Sequence, residues 1–160
     1  MSGPWLHIDH IGREVRRPDD PYWLDLRRRL RPAGGFIQVV LAGALAVQWR
    51  GDRIPAPAGS ALLLHTGMNA SYGLPPGATA SARFEWVFIG GAGAEDLFVD
   101  LVGRLGPVLP DRDGAMLGEL RVLAESAAPG RRGDPIVAAE AVHAFLTRLA
   151  RRAAAGGPAT

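Results

Sequence analysis

The stretch from Gly34 to Tyr72 leaves this chain few ways to fold. Gly34-Gly35-Phe36-Ile37-Gln38-Val39-Val40-Leu41 is rich in β-branched and aromatic residues and lies between glycines. Ala42-Gly43 separates it from a second run of the same character, Ala44-Leu45-Ala46-Val47-Gln48-Trp49-Arg50. Two strand-like runs split by a short glycine-bearing turn read as a hairpin. Gly51-Asp52 is the next turn, before a short Arg53-Ile54-Pro55 run. Pro57-Ala58-Gly59-Ser60 then precedes Ala61-Leu62-Leu63-Leu64-His65, and Thr66-Gly67-Met68-Asn69 leads into Ala70-Ser71-Tyr72-Gly73. Short strands with turn signals at roughly 8–12-residue spacing point to a sandwich or barrel.

Downstream, Gly73-Leu74-Pro75-Pro76-Gly77-Ala78-Thr79 is a loop and Arg83–Ile89 a further strand. Alternation puts Phe84, Trp86 and Phe88 on one face and Glu85, Val87 and Ile89 on the other. Three aromatics on one face are core, or they line a closed apolar pocket. Gly90-Gly91-Ala92-Gly93 does not complete Gly-x-Gly-x-x-Gly. Glu95 and Asp96 just after it suit a helix dipole and would repel a phosphate. The rest reads as helical. Leu97, Phe98, Leu101, Val102 and Leu105 form one apolar face ending at Gly106-Pro107. Ala115–Ala127 is a second helix, and Pro135–Ala154 a third with proline at its start. The chain thus divides into a barrel over residues 1–92, helices over 93–154 and a linker-like tail over 155–160.

Ahead of the barrel core, Trp5–Gly12 alternates as an opening strand. His7 and His10, three apart, point to opposite faces and do not share a metal. Tyr22–Arg31 reads as a strand or a short amphipathic segment, and strand fits the barrel better. Its arginines, Arg27, Arg28, Arg29 and Arg31, have two readings. They form a solvated edge that discourages sheet-to-sheet pairing, or one of them points into the barrel towards a ligand carboxylate, phosphate or hydroxyl. Asp19, Asp20 and Asp25 nearby argue against a basic nucleic-acid patch.

Composition narrows the function classes. The 160 residues suit one domain, and 48% hydrophobic content allows a real core. Cysteine is absent, which excludes disulfides and thiolate chemistry. No basic leader and no apolar run near membrane-spanning length is present, the pattern of a cytoplasmic protein with no membrane partner. The pI of 9.9 overstates basicity, because the formal charge is +2 and every basic side chain other than histidine is arginine. No Gly-x-Ser-x-Gly elbow or Ser/His/acid arrangement is visible.

The order of turns and aromatics carries a resemblance. A strand ending in Leu-x-Gly is followed by one closed by Gly-Asp, then Pro-x-Gly-Ser-x-Leu-Leu-Leu. A turn with Asn69 and Tyr72 precedes Phe84-Glu85-Trp86-Val87-Phe88-Ile89-Gly90. From about Tyr22 to about Arg152 this resembles the N-terminal regulatory domain of AraC-type transcriptional regulators. The resemblance implies an α+β fold, a cupin-like (jelly-roll) β-barrel followed by C-terminal α-helices. It also implies a small-molecule effector in the barrel, a homodimer formed through the helices, and no cofactor. DNA would be bound through a separate C-terminal domain, which these residues do not contain. In a sugar-responsive member of that family an arginine, a tyrosine and a tryptophan contact the effector. The matching positions here are Arg31, with Arg27 and Arg29 competing, Tyr72 and Trp86. Trp23, Gln38, Val40 and Phe84 complete the candidate ligand-binding set. Phe84 stands where the family has a histidine, and with Val40 it implies a more apolar or aromatic effector than a sugar. Metal-dependent cupins carry a His-x-His pair where this chain has His65 alone, so no metal and no enzyme activity are expected. The alternative is a small single-domain cupin enzyme, an isomerase or dioxygenase. A third possibility is a ligand-free barrel, filled by Trp23, Phe84 and Trp86, that serves oligomerisation.

Overall fold

Strand β3 (Gly34–Ala42) is apolar on both faces, and that fixes its place in the middle of the structure. A strand buried on both sides must be covered by another sheet on one face and by helices on the other. The computed structural model describes residues 4–28, 32–126 and 133–155. Strands β1 (His7–Arg16), β8 (Ala82–Gly90), β3, β6 (Ser60–His65) and β9 (Val108–Pro110) form one antiparallel sheet in that order. Strands β2 (Trp23–Asp25), β7 (Ala70–Gly73), β4 (Ala44–Trp49) and β5 (Asp52–Pro57) form the second. The sheets meet through aromatic side chains, with Phe36 of the first 5.3 Å from Tyr72 of the second. Helices α1 (Ala94–Leu105), α2 (Ala115–Ser126) and α3 (Pro135–Ala155) lie over the outer face of the larger sheet. The fold is therefore the α+β, jelly-roll-like sandwich with helices that the sequence implies.

Four local expectations change. The runs on either side of Gly43 do not form a hairpin. β3 pairs with β6 and β8, whereas β4 pairs with β5 and β7, so the chain crosses between sheets at this point. Gly43 makes the corner possible. Its φ is +69°, and a Cβ there would lie 2.1 Å from the Ser81 carbonyl oxygen. The true hairpin is β4–β5, closed by Arg50 and Gly51 with φ of 51° and 83°, both in the left-handed region that a tight primed turn needs. The opening strand starts at His7 and runs on to Arg16. The segment after Tyr22 is extended only over Trp23–Asp25. The Asp25 carboxylate then accepts from the Arg27 backbone N–H at 3.0 Å, and its carbonyl accepts from Arg28, which turns the chain. The stretch after α1 is not wholly helical, since β9 adds to the edge of β6.

The helices begin where the polar chemistry places them. Both carboxylate oxygens of buried Asp111 accept from the first turn of α2, at Met116 and Leu117. Asp134 caps α3 through the Ile136 N–H, with Pro135 in the first helical position. Gly35 leaves room for the Phe98 ring of α1, which lies where a side chain on Gly35 would go. Val142, Phe145, Leu146 and Leu149 of α3 complete the core of this layer.

Candidate functional site

Alternation along β8 sorts its side chains between two environments. Phe84, Trp86 and Phe88 face the other sheet, and Glu85, Val87 and Ile89 face the helices. Phe84 and Phe88 are fully buried; Phe84 stacks on Tyr22 at 5.4 Å and Phe88 on Phe36 at 6.3 Å. Trp86 is only partly buried. Its indole lies across Gly12 of the neighbouring strand, where a Cβ would sit 2.2 Å from the ring nitrogen. A glycine at this one position lets the largest side chain of the strand spread over the sheet.

Between the sheets a cavity of about 80 Å³ remains, lined by Glu14, Arg16, Tyr22, Leu24, Phe36, Gln38, Tyr72 and Trp86. Its floor is a polar cluster inside the aromatic core. The buried Gln38 amide donates to the Tyr22 hydroxyl at 3.2 Å. Burial pushes the Tyr22 phenol up, against the lowering effect of its hydrogen bonds with Gln38 and Tyr72. It is therefore a neutral hydroxyl at physiological pH. At the rim, Arg16 donates from Nε to Glu14 at 3.2 Å, and its guanidinium sits 4.5 Å above the Tyr22 ring. The Glu14 and Arg16 side chains are 33% and 34% exposed, so this rim is the cavity's opening to solvent.

Of the residues expected at the site, Gln38, Tyr72 and Trp86 come together here. Val40 and Phe84 lie in the core without lining the cavity. The apolar character they imply for a ligand therefore belongs to packing. Trp23 does not fill the barrel. Its neighbour Leu24 lines the cavity, and the Trp23 ring turns to the outer face, where Arg53 lies 5.0 Å above it. Arg27 is exposed and held by Asp25 through two hydrogen bonds of 3.2 Å, away from the cavity. Arg31 and Arg29 lie outside the described residues.

The arginine that does reach the cavity, Arg16, was not singled out in the sequence, nor was Glu14. The signal was present. Once the opening strand is continued past Gly12, Gly12, Glu14 and Arg16 alternate onto one face, and Gly12 and Glu14 pair with Trp86 and Phe84. His65 pairs with Gly35 on the opposite face, the side that carries Phe98, and bonds the Thr66 carbonyl oxygen at 2.9 Å. Among the described residues no group of three histidines or carboxylates is placed to hold a metal. None of the described helices is long and apolar enough to cross a membrane.

Behind the cavity, the other face of β8 carries a different kind of charge pair. Glu85, buried beneath the helices, accepts two hydrogen bonds of 2.9 Å from Arg121 of α2, and Arg13 of β1 approaches to 3.2 Å. The Arg121 bonds hold the Glu85 carboxyl below the usual carboxylate range, against the opposing effect of burial. Glu119 of α2 in turn accepts from Arg152 of α3 at 2.8 Å.

No protein-family model matches the chain, and no curated protein does. Solved structures do. A structure of ToxT from Vibrio cholerae matches 92% of this chain and 57% of its own, at 10% identity and a TM-score of 0.50. A second, of ToxT from Vibrio cholerae O395, matches 89% and 54% at 9% identity and the same TM-score of 0.50. The Clostridium difficile EutQ protein aligns over 56% of this chain and 55% of its own, with 19% identity and a TM-score of 0.38. The chain spans little more than half the length of these proteins. At such identities the ToxT likeness is one of fold, and the EutQ alignment is too partial to bear on function. What the chain shares with the ToxT structures is the fold, an α+β, jelly-roll-like sandwich with helices.

Proposed function

We propose that the chain is the effector-sensing and dimerisation domain of an AraC-type transcriptional regulator. It binds a small organic molecule in the barrel and signals allosterically to a DNA-binding domain outside these residues. The cavity carries this reading. Tyr22, Gln38 and Tyr72 offer fixed hydrogen-bonding groups at its base, Trp86 offers an aromatic wall, and Glu14 and Arg16 mark an entrance. A concave site with an aromatic lining and a few convergent polar groups is the ordinary form of a ligand site. The order of turns and aromatics in the sequence supports the family, and the fold likeness to ToxT supports the architecture this reading needs.

The reading is non-catalytic. The cavity's carboxylate, Glu14, is engaged by Arg16, and His65 lies on the opposite face of the sheet. Homodimerisation in this reading uses the α2–α3 side, where Gly118, Val122, Ala141 and Ala144 line an open apolar groove. Signalling runs through a shift in population between states that differ in how the helices sit on the barrel. The test is a thermal-shift screen of the purified chain against sugars, small aromatic acids, amines, amino acids and divalent metals. A ligand at ~100 times its Kd adds about 2.7 kcal/mol. A rise in Tm with an organic molecule, lost in Trp86→Ala and Tyr72→Phe, is the expected result. A rise with a transition metal alone, or turnover of the bound molecule, overturns the reading in favour of a cupin enzyme.

A further inference from the structure

We infer that the outer face of the smaller sheet holds a second ligand site, outside the barrel, for the phosphate group of a small phosphomonoester. The inference does not depend on the sensor reading. Alternation builds the site. Leu24 and Tyr72 line the barrel cavity, so Asp25 and Ser71 point away from it. Register continues their row through Gln48 to Arg53. At the end of this row an open pocket of about 300 Å³ lies against Asp25, Arg27, Gln48, Arg50, Asn69 and Ser71. The Asp25 carboxylate is taken up by Arg27, through the backbone N–H at 3.0 Å and two guanidinium bonds of 3.2 Å, with Arg28 at 3.6 Å. Among the described residues Arg50 forms no ion pair, not even with Asp52 two residues on. All 16 Asp and Glu residues belong to the described part of the chain, so the rest can add no carboxylate side chain to this site. The balance is positive.

Arg50 holds its place against local preference. It is the first residue of the β4–β5 turn, at a φ of 51°, where asparagine or glycine is at ease and a long side chain is not. A strained residue that the surrounding structure keeps points to a use beyond the turn. Its guanidinium lies 4.0 Å over the Trp49 ring. Stacking covers the flat face of the cation and leaves its N–H edge free for an anion. Neutral donors stand around it. Arg53 donates to the Gln48 amide oxygen at 3.4 Å, which leaves the amide N–H groups unengaged. The Ser71 hydroxyl and the Asn69 amide make no hydrogen bond among the described residues. Several donors around one pocket suit the three terminal oxygens of a phosphate monoester better than the two of a carboxylate. Stacking of a nucleobase is not offered, because Arg50 and Arg53 already lie over the Trp49 and Trp23 rings.

The experiment titrates the full chain at constant ionic strength with inorganic phosphate and glycerol phosphate. Calorimetry and the backbone amide NMR shifts of Gly51, Asn69 and Ser71 are the readouts. Acetate, glycerol and a thymidine oligonucleotide serve as the carboxylate, neutral and polynucleotide probes. The expected result is saturable binding of glycerol phosphate that moves these amides and weakens about tenfold or more in Arg50→Asn. Asparagine tolerates the left-handed φ of the turn, so this variant should fold with an unchanged or higher Tm. A Tm that is kept while binding falls separates the site from a merely structural arginine. Arg104→Gln, which removes an equal charge from the exposed side of α1, should bind as the native chain does. Equal binding of acetate or glycerol, an equal loss in Arg104→Gln, or no response to either phosphate overturns the inference. Binding of the oligonucleotide alone also overturns it, and would give this face to a polynucleotide.

Discussion

The two faces of strand β8 stand in contrasting surroundings. Towards the helices, Val87 and Ile89 are fully buried, and the buried charged group, Glu85, is held by a two-point fork from α2. Towards the barrel, Phe84 and Phe88 are as deeply buried, but Trp86 between them borders a hydrogen-bonding gap with a half-open rim. Carboxylate–guanidinium pairs sit on both sides. One lies under a helix with its geometry satisfied. The other sits at an opening with one bond made. Closed packing with a satisfied ion pair is what a structural face needs. A gap with a loosely engaged pair is what a face that receives something needs.

Substitutions on the two faces can break that contrast. The largest effect belongs to the shared core. Phe88→Ala should cost about 3–5 kcal/mol, read by urea unfolding, whereas Trp86→Ala, at a partly open wall, should cost clearly less and abolish the ligand response. Equal losses at the two positions would mean that Trp86 is simply core. Next comes the helix-side pair. Arg121→Ala leaves a buried carboxylate without its fork and should cost about 1–3 kcal/mol. Arg16→Gln at the rim should stay within about 0–1 kcal/mol, and comparable costs would erase the distinction between the faces.

The same pair sets an acid limb. The Glu85 carboxyl is held below its ordinary value in the folded chain. Its contribution is therefore fully present above the unfolded value of about 4.3 and is lost as pH falls through the lower, folded value. The stability gap between the native chain and Glu85→Gln should be widest near neutrality and shrink as pH drops below about 4.3. A pH-independent gap would show that the fork contributes nothing through ionisation. The smallest effect is local. Gly12→Ala should push the Trp86 indole off the strand and shift its emission while leaving the fold intact. An unchanged spectrum would mean that the indole does not lie there.

Much of the fold was legible because it is written in period and punctuation. Alternation in Arg83–Ile89 assigns β8's two faces correctly, and proline and glycine mark the helix limits at Gly106 and Pro135. Gly43 misleads because a glycine between two strands serves a hairpin and a sheet-to-sheet corner equally well. Only the partners of β3 and β4 tell them apart. Trp23 misleads for a related reason: its segment leaves the sheet after Asp25, and over so short a strand the sequence does not say which parity faces inward. The site was half legible. Gln38, Tyr72 and Trp86 lie on strands with clear alternation. Glu14 and Arg16 were hidden in a charged stretch, Arg13–Arg17, whose strand character comes from pairing with β8 and not from apolar residues of its own. Burial of one face by a partner strand is a tertiary fact, and short-range pattern does not contain it.

The most direct test of the account is whether a small molecule enters the barrel beside Trp86. A variant with Trp5, Trp23 and Trp49 replaced by phenylalanine leaves Trp86 as the lone indole, and its emission can be followed during titration with the organic molecule that gives the largest rise in Tm in the screen. The account predicts a saturable change whose midpoint matches the calorimetric Kd and which disappears in Gln38→Ala. Binding that raises Tm without altering Trp86 emission, or a change that survives Gln38→Ala, would place the ligand elsewhere and contradict it.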